Sequence, residues 1–315
     1  MSVLSERPSR ADVGPYVGVG SGGLILSVLA AGLILASLVG SEVAPGAFLS
    51  REAASGFERL VSGMWPPKLS PDFLSRTAVL MWQTLQISVA ATALAFVAAL
   101  PIGLASMRLR GEEQRRSALG TRRWLGRWGI YYGARAFANV CRAVPELVWA
   151  LVFVATLGLG PFAGVMALAV HSAGVLGKLY AEILESVDQR IVEAVRSTGA
   201  SEGQVTAWAR IPVTLPVLLS YTLFRWECNM RAATVVGFVG AGGIGTALTI
   251  SYKLFRYDEL ATLILAILLL ISVVDIVGQL IRSRVLDSSD LGCRSLSDRV
   301  RGVGRRVGFL ARADH

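Results

Sequence analysis

Six stretches of this chain are apolar for long enough to cross a lipid bilayer, and no other feature of the sequence constrains its fold so tightly. A span needs about 20 such residues. Gly22–Gly40 carries no charged residue, and neither does 77–107, where Pro101 predicts a kink near the end. The stretch 147–177 also lacks Asp, Glu, Lys and Arg, but it is too long for one span. The "GLGP" at 158–161 is a strong turn signal inside it. It therefore divides into helices predicted over 138–157 and 162–181. A fifth span, 213–236, contains Arg225, Glu227 and Arg231, and a sixth, 260–281, contains Asp275. Only 17% of the chain is charged, against about 25% in soluble domains. The fold class this predicts is an all-α polytopic membrane protein. Gly22–Gly40 reads as a retained span, because no charged segment directly precedes it and no A-x-A cleavage site ends it.

The net charge of +9 sits mostly in arginine blocks between the apolar runs. "RLRGEEQRRSALGTRRWLGRWG" follows the second span, and an arginine-rich tail follows the sixth. Positive charge favours the cytoplasmic side, which predicts both termini and the loops 106–137 and 182–212 inside. Three regions follow: 1–70 with the first span and an external loop, 71–285 as the main membrane domain, and 286–315 as a cytoplasmic tail suited to anionic lipid. Charge in such blocks does not suit nucleic acid, which is met by a basic polar face. Cys141, Cys228 and Cys293 are isolated, and with His171 and His315 they form no familiar metal spacing. No Walker A pattern occurs, so no P-loop ATP site is expected. No cofactor, metal or catalytic residue is predicted.

"GFVGAGGIG" at 237–245 contains G-x-G-x-x-G, with Asp258 and Glu259 downstream. A dinucleotide site needs a soluble α/β unit around that motif. Here it stands at the end of the fifth span with another span following, so the glycines are expected to form a tight outer turn.

The loop "LESVDQRIVEAVRSTGASEGQVTAWARIPVTLP" is the most informative segment. Residues 191–197 are amphipathic, Gly199 stops that helix, and Ser201 can cap a second helix over 202–210. Pro212 is expected to end it before span five begins. Two short helices at an angle make a cytoplasmic knob, a natural docking point for a partner.

This loop resembles the EAA loop of binding-protein-dependent ABC-importer permeases, E-A-A-x-x-x-G, nine residues, I-x-L-P. Glu193, Ala194, Gly199 and Pro212 fall at its spacing, while Val195, Ala209 and Ile211 stand at its second Ala, its Ile and its Leu. "RAVPELVWALVF", "HSAGVLGKLYAEILESVD", the Arg225–Leu248 run and "SVVDIVGQLIR" are similar to the phosphonate-type subfamily, over roughly residues 75–285. The resemblance implies a type I ABC importer permease fold, paired with itself in the cytoplasmic membrane. It implies a separate ABC ATPase dimer docked on the knob through Glu193, Ala194, Ser197, Gly199, Ala200 and Pro212. An extracytoplasmic binding protein would deliver a phosphonate or related phosphorus oxyanion. A permease for another small solute, an ion-coupled transporter and a membrane-bound enzyme are the alternatives. The last two lack the inverted repeats or acid–base pair they would need.

Arg225, Glu227 and Arg231 are candidates for the substrate path. Charges this deep cost about 2.5–3.5 kcal/mol each on insertion scales, so they face a cavity or a partner. Glu227 and Arg231 are four apart and can pair on one helix face; Arg225 lies outside that pair. Arg142 and Glu146 have the same spacing and are expected to pair. His171 reads as a hydrogen-bonded packing residue, Lys178 as a snorkelling cation, and Asp275 as the partner of an arginine or backbone amide.

Overall fold

The computed structural model describes residues 21–41, 50–108 and 121–310, with side chains for 22–41, 50–108 and 125–284. The expectations placed on the first twenty residues, on the arginines at 109–120 and on the side chains of the tail lie outside the described residues. Among the described residues there are helices and turns and no strand. The chain divides into two units, Met1–Ser62 and Gly63–His315.

The first unit contains α1, Ser21–Gly40, and most of α2, Arg51–Met64. The side chains of α1 are exposed along its whole length, as befits an apolar helix whose surroundings are lipid.

The second unit is a helical bundle. It contains α3 (Pro71–Ser106), α4 (Thr121–Ala143), α5 (Glu146–Leu157) and α6 (Pro161–Glu185). Two short helices follow, α7 (Gln189–Arg196) and α8 (Glu202–Val205), then a π-helical turn over Thr206–Arg210. The chain continues through α9 (Ile211–Val236), α10 (Ile244–Lys253) and α11 (Tyr257–Leu310). Among the described residues five helices are individually long and apolar enough to cross a membrane, and the bent pair α4–α5 makes six if it counts as one span.

Small residues set the packing. Ala95 and Ala99 of α3 meet Ala173, Leu176 and Tyr180 of α6, with Leu218 of α9 against them. Small side chains let helix backbones approach closely where lipid offers no hydrophobic drive to association. Outward-facing positions keep large apolar residues exposed, Val97 and Leu269 among them.

The third span departs from expectation. In place of one helix over 138–157, α4 and α5 meet at 91°. Pro145 explains the break: it has no N–H for the helix ladder and its ring clashes with the preceding turn. The freed carbonyls are then met by side chains. The Trp149 indole donates to the Cys141 carbonyl at 3.1 Å, and His171 Nδ1 lies 3.0 Å from the Val144 carbonyl, a bond that requires Nδ1 to carry the proton. The same bend separates Arg142 from Glu146, so their expected pair does not form. Arg142 Nε donates to Asn139 Oδ1, while Glu146 Oε2 lies 3.7 Å from His171 Nε2. Lys178 pairs with Glu182 one turn on, at 3.6 Å.

The glycine run is a turn, as its composition suggests. Gly240, Gly242 and Gly243 have φ of +88°, +84° and +73°. The turn is tucked inward. Gly243 N–H donates to Gln83 Oε1 and Ile244 N–H to Thr84 Oγ1, and Ala241 is fully buried.

Candidate functional site

The knob between α6 and α9 is a small folded object with its own core. Asp188 caps α7 by accepting from the Arg190 N–H at 2.9 Å. Gly199, at φ +83°, ends the segment in a conformation that L side chains rarely adopt. Ser201 and Gln204 then form a reciprocal capping box for α8. Arg196 and Glu202 bridge the two helices at 2.9 Å. Val187, Val192, Val205 and Ala209 are buried beneath them, with Val195 and Ala200 packed against that cluster. This arrangement leaves Glu193, Ala194, Ser197 and Gly199 exposed on one outer surface.

Pro212 does not separate the knob from the fifth span. The helix runs unbroken over Glu202–Val239, 38 residues. The π turn reconciles the proline with the ladder: the Ile211 N–H reaches back five residues to the Thr206 carbonyl, just before the residue that has no N–H to give. Pro212 is exposed in the first turn of α9.

Two knob residues escaped the sequence reading. Trp208 is 76% exposed, a large aromatic presented to solvent. Arg210 is buried at 1% exposure and donates from Nη1 to the Leu184 carbonyl at 2.9 Å, tying the knob to the end of α6. Around it, Glu185 Oε1 accepts from the Arg108 backbone N–H and from Arg135 Nη2, and Arg135 Nε donates to the Ser106 carbonyl. The ends of α3, α4 and α6 thus meet at the knob's base. An arginine three residues before an apolar span was the available signal.

Deeper in the bundle, a chain of polar side chains links three helices. Asn229, fully buried, donates from Nδ2 to Thr92 Oγ1 at 2.9 Å and accepts from Ser172 Oγ at 2.7 Å. Arg225 Nε donates to the same Ser172 oxygen at 3.0 Å, and Trp226 Nε1 to Ser88 Oγ at 3.2 Å. Every buried polar group here has a partner, which is the condition for such a network inside a membrane. Arg225 is half-buried, and among the described residues no ion pair forms at its guanidinium.

The Glu227–Arg231 pair that their spacing allows does not form either. Both residues face α11. Glu227 Oε1 accepts from Arg282 at 2.7 Å, and Arg231 holds Asp275 at 3.0 Å. Gly278 stands between the two bridges, and a Cβ there would clash with Glu227 Oε1. The missing side chain makes room for the buried carboxylate. Partners on another helix therefore displace the intrahelical pair, and Asp275 meets an arginine as its sequence position suggested. Of the three charges in span five, Arg225 alone has no bridge among the described residues.

A family model described as "Binding-protein-dependent transport system inner membrane component" matches residues 118–287. The chain is 34% identical over 250 residues to the putative phosphite transport system permease protein HtxC of Stutzerimonas stutzeri, covering 78% of this chain and 83% of that one. It is 36% identical over 204 residues to the phosphate-import permease protein PhnE of Mycolicibacterium smegmatis, covering 65% and 36%. Among solved structures, a chain of the inward-facing MetNI methionine ABC transporter matches with a TM-score of 0.55 at 20% identity, covering 69% of this chain and 99% of its own. That likeness shows the type I importer permease fold.

Proposed function

We propose, because this chain belongs to the binding-protein-dependent transport system inner membrane component family, that it is the permease subunit of an ATP-driven importer for phosphonate, phosphite or phosphate. Residues 71–285 form the permease proper, with both termini on the cytoplasmic side of the cell membrane. Two copies enclose the path. An extracytoplasmic binding protein delivers the oxyanion, and an ABC ATPase dimer docks on the knob through Glu193, Ala194, Ser197, Gly199 and Ala200. Closure of that dimer drives the exchange between inward- and outward-facing states.

One observation carries the substrate class: Arg225, a cation without a carboxylate partner among the described residues, joined by Ser172 to a buried hydrogen-bond network partway along a span. A cation there is tolerable where water or a passing anion meets it. A phosphorus oxyanion offers several acceptor oxygens, which suit the forked donors of a guanidinium. A single arginine gives an attractive potential without a deep trap, and the anion must leave again. Glu227 and Arg231 stand beside this path as the wall that holds α9 to α11. The relatives named for phosphite and phosphate transport favour the same class.

The test is reconstitution with the cognate ATPase and binding protein. ATP hydrolysis should rise when the binding protein is loaded with phosphonate, phosphite or phosphate. Arg225→Gln should cut uptake about tenfold or more, the loss of a charge-assisted bond of about 1.5–3 kcal/mol, and leave basal ATPase activity intact. Wild-type uptake by a well-expressed Arg225→Gln protein would remove the arginine from the path.

A further inference from the structure

Helix α2 has an apolar face that none of the described residues covers. Phe57, Leu60, Val61 and Met64 recur at the spacing of one helix face. Arg51, Glu52, Ser55, Glu58, Arg59 and Ser62 take the other side. The helix has no buried residue at all; Phe57 is 70% exposed, and Trp65, which follows directly, is 80% exposed.

Its position along the chain narrows what can cover that face. At 14 residues it is about 21 Å long, too short to cross a bilayer. Spans flank it on both sides, α1 ending at Gly40 and α3 starting at Pro71. Its last turn is held where α11 begins: a Cβ on Gly63 would sit 2.8 Å from the Tyr257 ring. The connector beyond it is stapled to the same place. Lys68 N–H donates to the Asp258 carbonyl, Thr262 Oγ1 donates to the Lys68 carbonyl, and Lys68 Nζ meets the nearly buried Glu259 at 2.9 Å. Glu259 is fixed in turn by Ser251 and Arg256. Residues 63–68, which close the helix and lead to the next span, are thus fixed where α11 begins.

We propose that α2 and Trp65 lie flat in the membrane–water interface, with Phe57, Val61 and Met64 among lipid headgroups and upper acyl chains. Amphipathic helices with a large apolar face bind there through buried apolar area, and tryptophan favours the same depth. The two arginines and two glutamates of α2 cancel. Binding therefore needs no anionic lipid, and zwitterionic bilayers suffice.

The test uses the full chain in phosphatidylcholine nanodiscs. Single cysteines replace Phe57, Val61, Ser55 or Glu58, and each carries an environment-sensitive fluorophore. Probes at 57 and 61 should be quenched by a lipid spin label placed near the top of the acyl chain, and their iodide quenching should be at least about threefold weaker than at 55 and 58. If Phe57→Cys fails to fold, Val61→Cys carries the same reading. Adding Leu60→Glu should abolish the lipid quenching. Free access of iodide to 57 and 61 would overturn the proposal, because the face would then be solvated. Shielding from iodide without lipid quenching would overturn it in favour of a protein cover. Equal lipid quenching on both faces would overturn it by placing α2 inside the bilayer.

Discussion

Arg231 grips Asp275 through one nitrogen, at 3.0 and 3.1 Å from the two carboxylate oxygens, across the contact between α9 and α11. One helical turn inward the charges are exchanged: Glu227 on α9 receives Arg282 from α11 at 2.7 Å. The two helices are fastened by bridges of opposite sense, and sliding one helix past the other by a turn would set like charges together. The inner bridge is the more buried, with Glu227 at 5% side-chain exposure against 31% for Asp275.

This ladder should be a stability element. Removing one partner of a buried bridge leaves an unpaired charge and costs about 3–5 kcal/mol, so Arg282→Leu should lower the melting temperature and yield sharply. The double variant Glu227→Leu/Arg282→Leu should lose less than Arg282→Leu alone. Gly278→Ala should also destabilise, by about 1–3 kcal/mol through crowding of Glu227. Thermal unfolding in nanodiscs reads all three, and wild-type melting in Arg282→Leu would dismiss the bridge.

The bend at Pro145 depends on two side-chain donors. Trp149→Phe keeps the ring and removes the indole N–H that meets the Cys141 carbonyl. A buried acceptor left without a donor costs about 1–3 kcal/mol, and His171→Phe should cost a similar amount through the Val144 carbonyl. Denaturation midpoints measure both. If neither shifts, another group must satisfy those carbonyls.

Gly199 tests the knob. Leucine there would be forced into the left-handed region at about 1–2 kcal/mol, tilting the surface that carries Glu193 and Ser197. Gly199→Leu should leave the complex assembled and dissociate ATP hydrolysis from uptake. Cysteines at Ser197 and at Trp208 should both crosslink to the ATPase. Normal coupled uptake by Gly199→Leu would speak against the docking assignment.

Labelling from outside checks the topology. Leu159, at the α5–α6 turn, is 78% exposed and its cysteine variant should react with an impermeant thiol reagent. A cysteine at Ala241 should stay unreactive despite its place in the glycine turn, because that residue is fully buried. Reaction of Leu159→Cys from the cytoplasmic side alone would invert the whole arrangement.

The apolar runs made the spans legible, because the bilayer imposes one length on any helix that crosses it. Gly199 and Ser201 marked the knob equally well, since a left-handed stop and a cap act within a few residues. Contacts between helices were less accessible. Glu227 and Arg231 at i and i+4 look like a pair until α11 supplies Arg282 and Asp275, and no periodicity reveals which helix a face will meet. The Asn229–Thr92–Ser172 network was hidden for the same reason, its members being 57 to 137 residues apart. Pro145 was visible, but the apolar character continued past it, so one helix was expected over 138–157 where two meet at 91°. Span five and its proline went the other way: the π turn absorbed Pro212 and the helix continued.

That continuity has a mechanical consequence. Trp208 and Arg225 ride on one rod, 17 residues and about 25 Å apart. No loop interrupts it, and the π turn, Pro212 and Pro216 are the places between them where it could bend. A tilt of about 5° imposed at the knob sweeps the guanidinium through about 2 Å, more than enough to break its bond to Ser172. A push delivered at the knob would therefore reach Arg225 along one continuous helix.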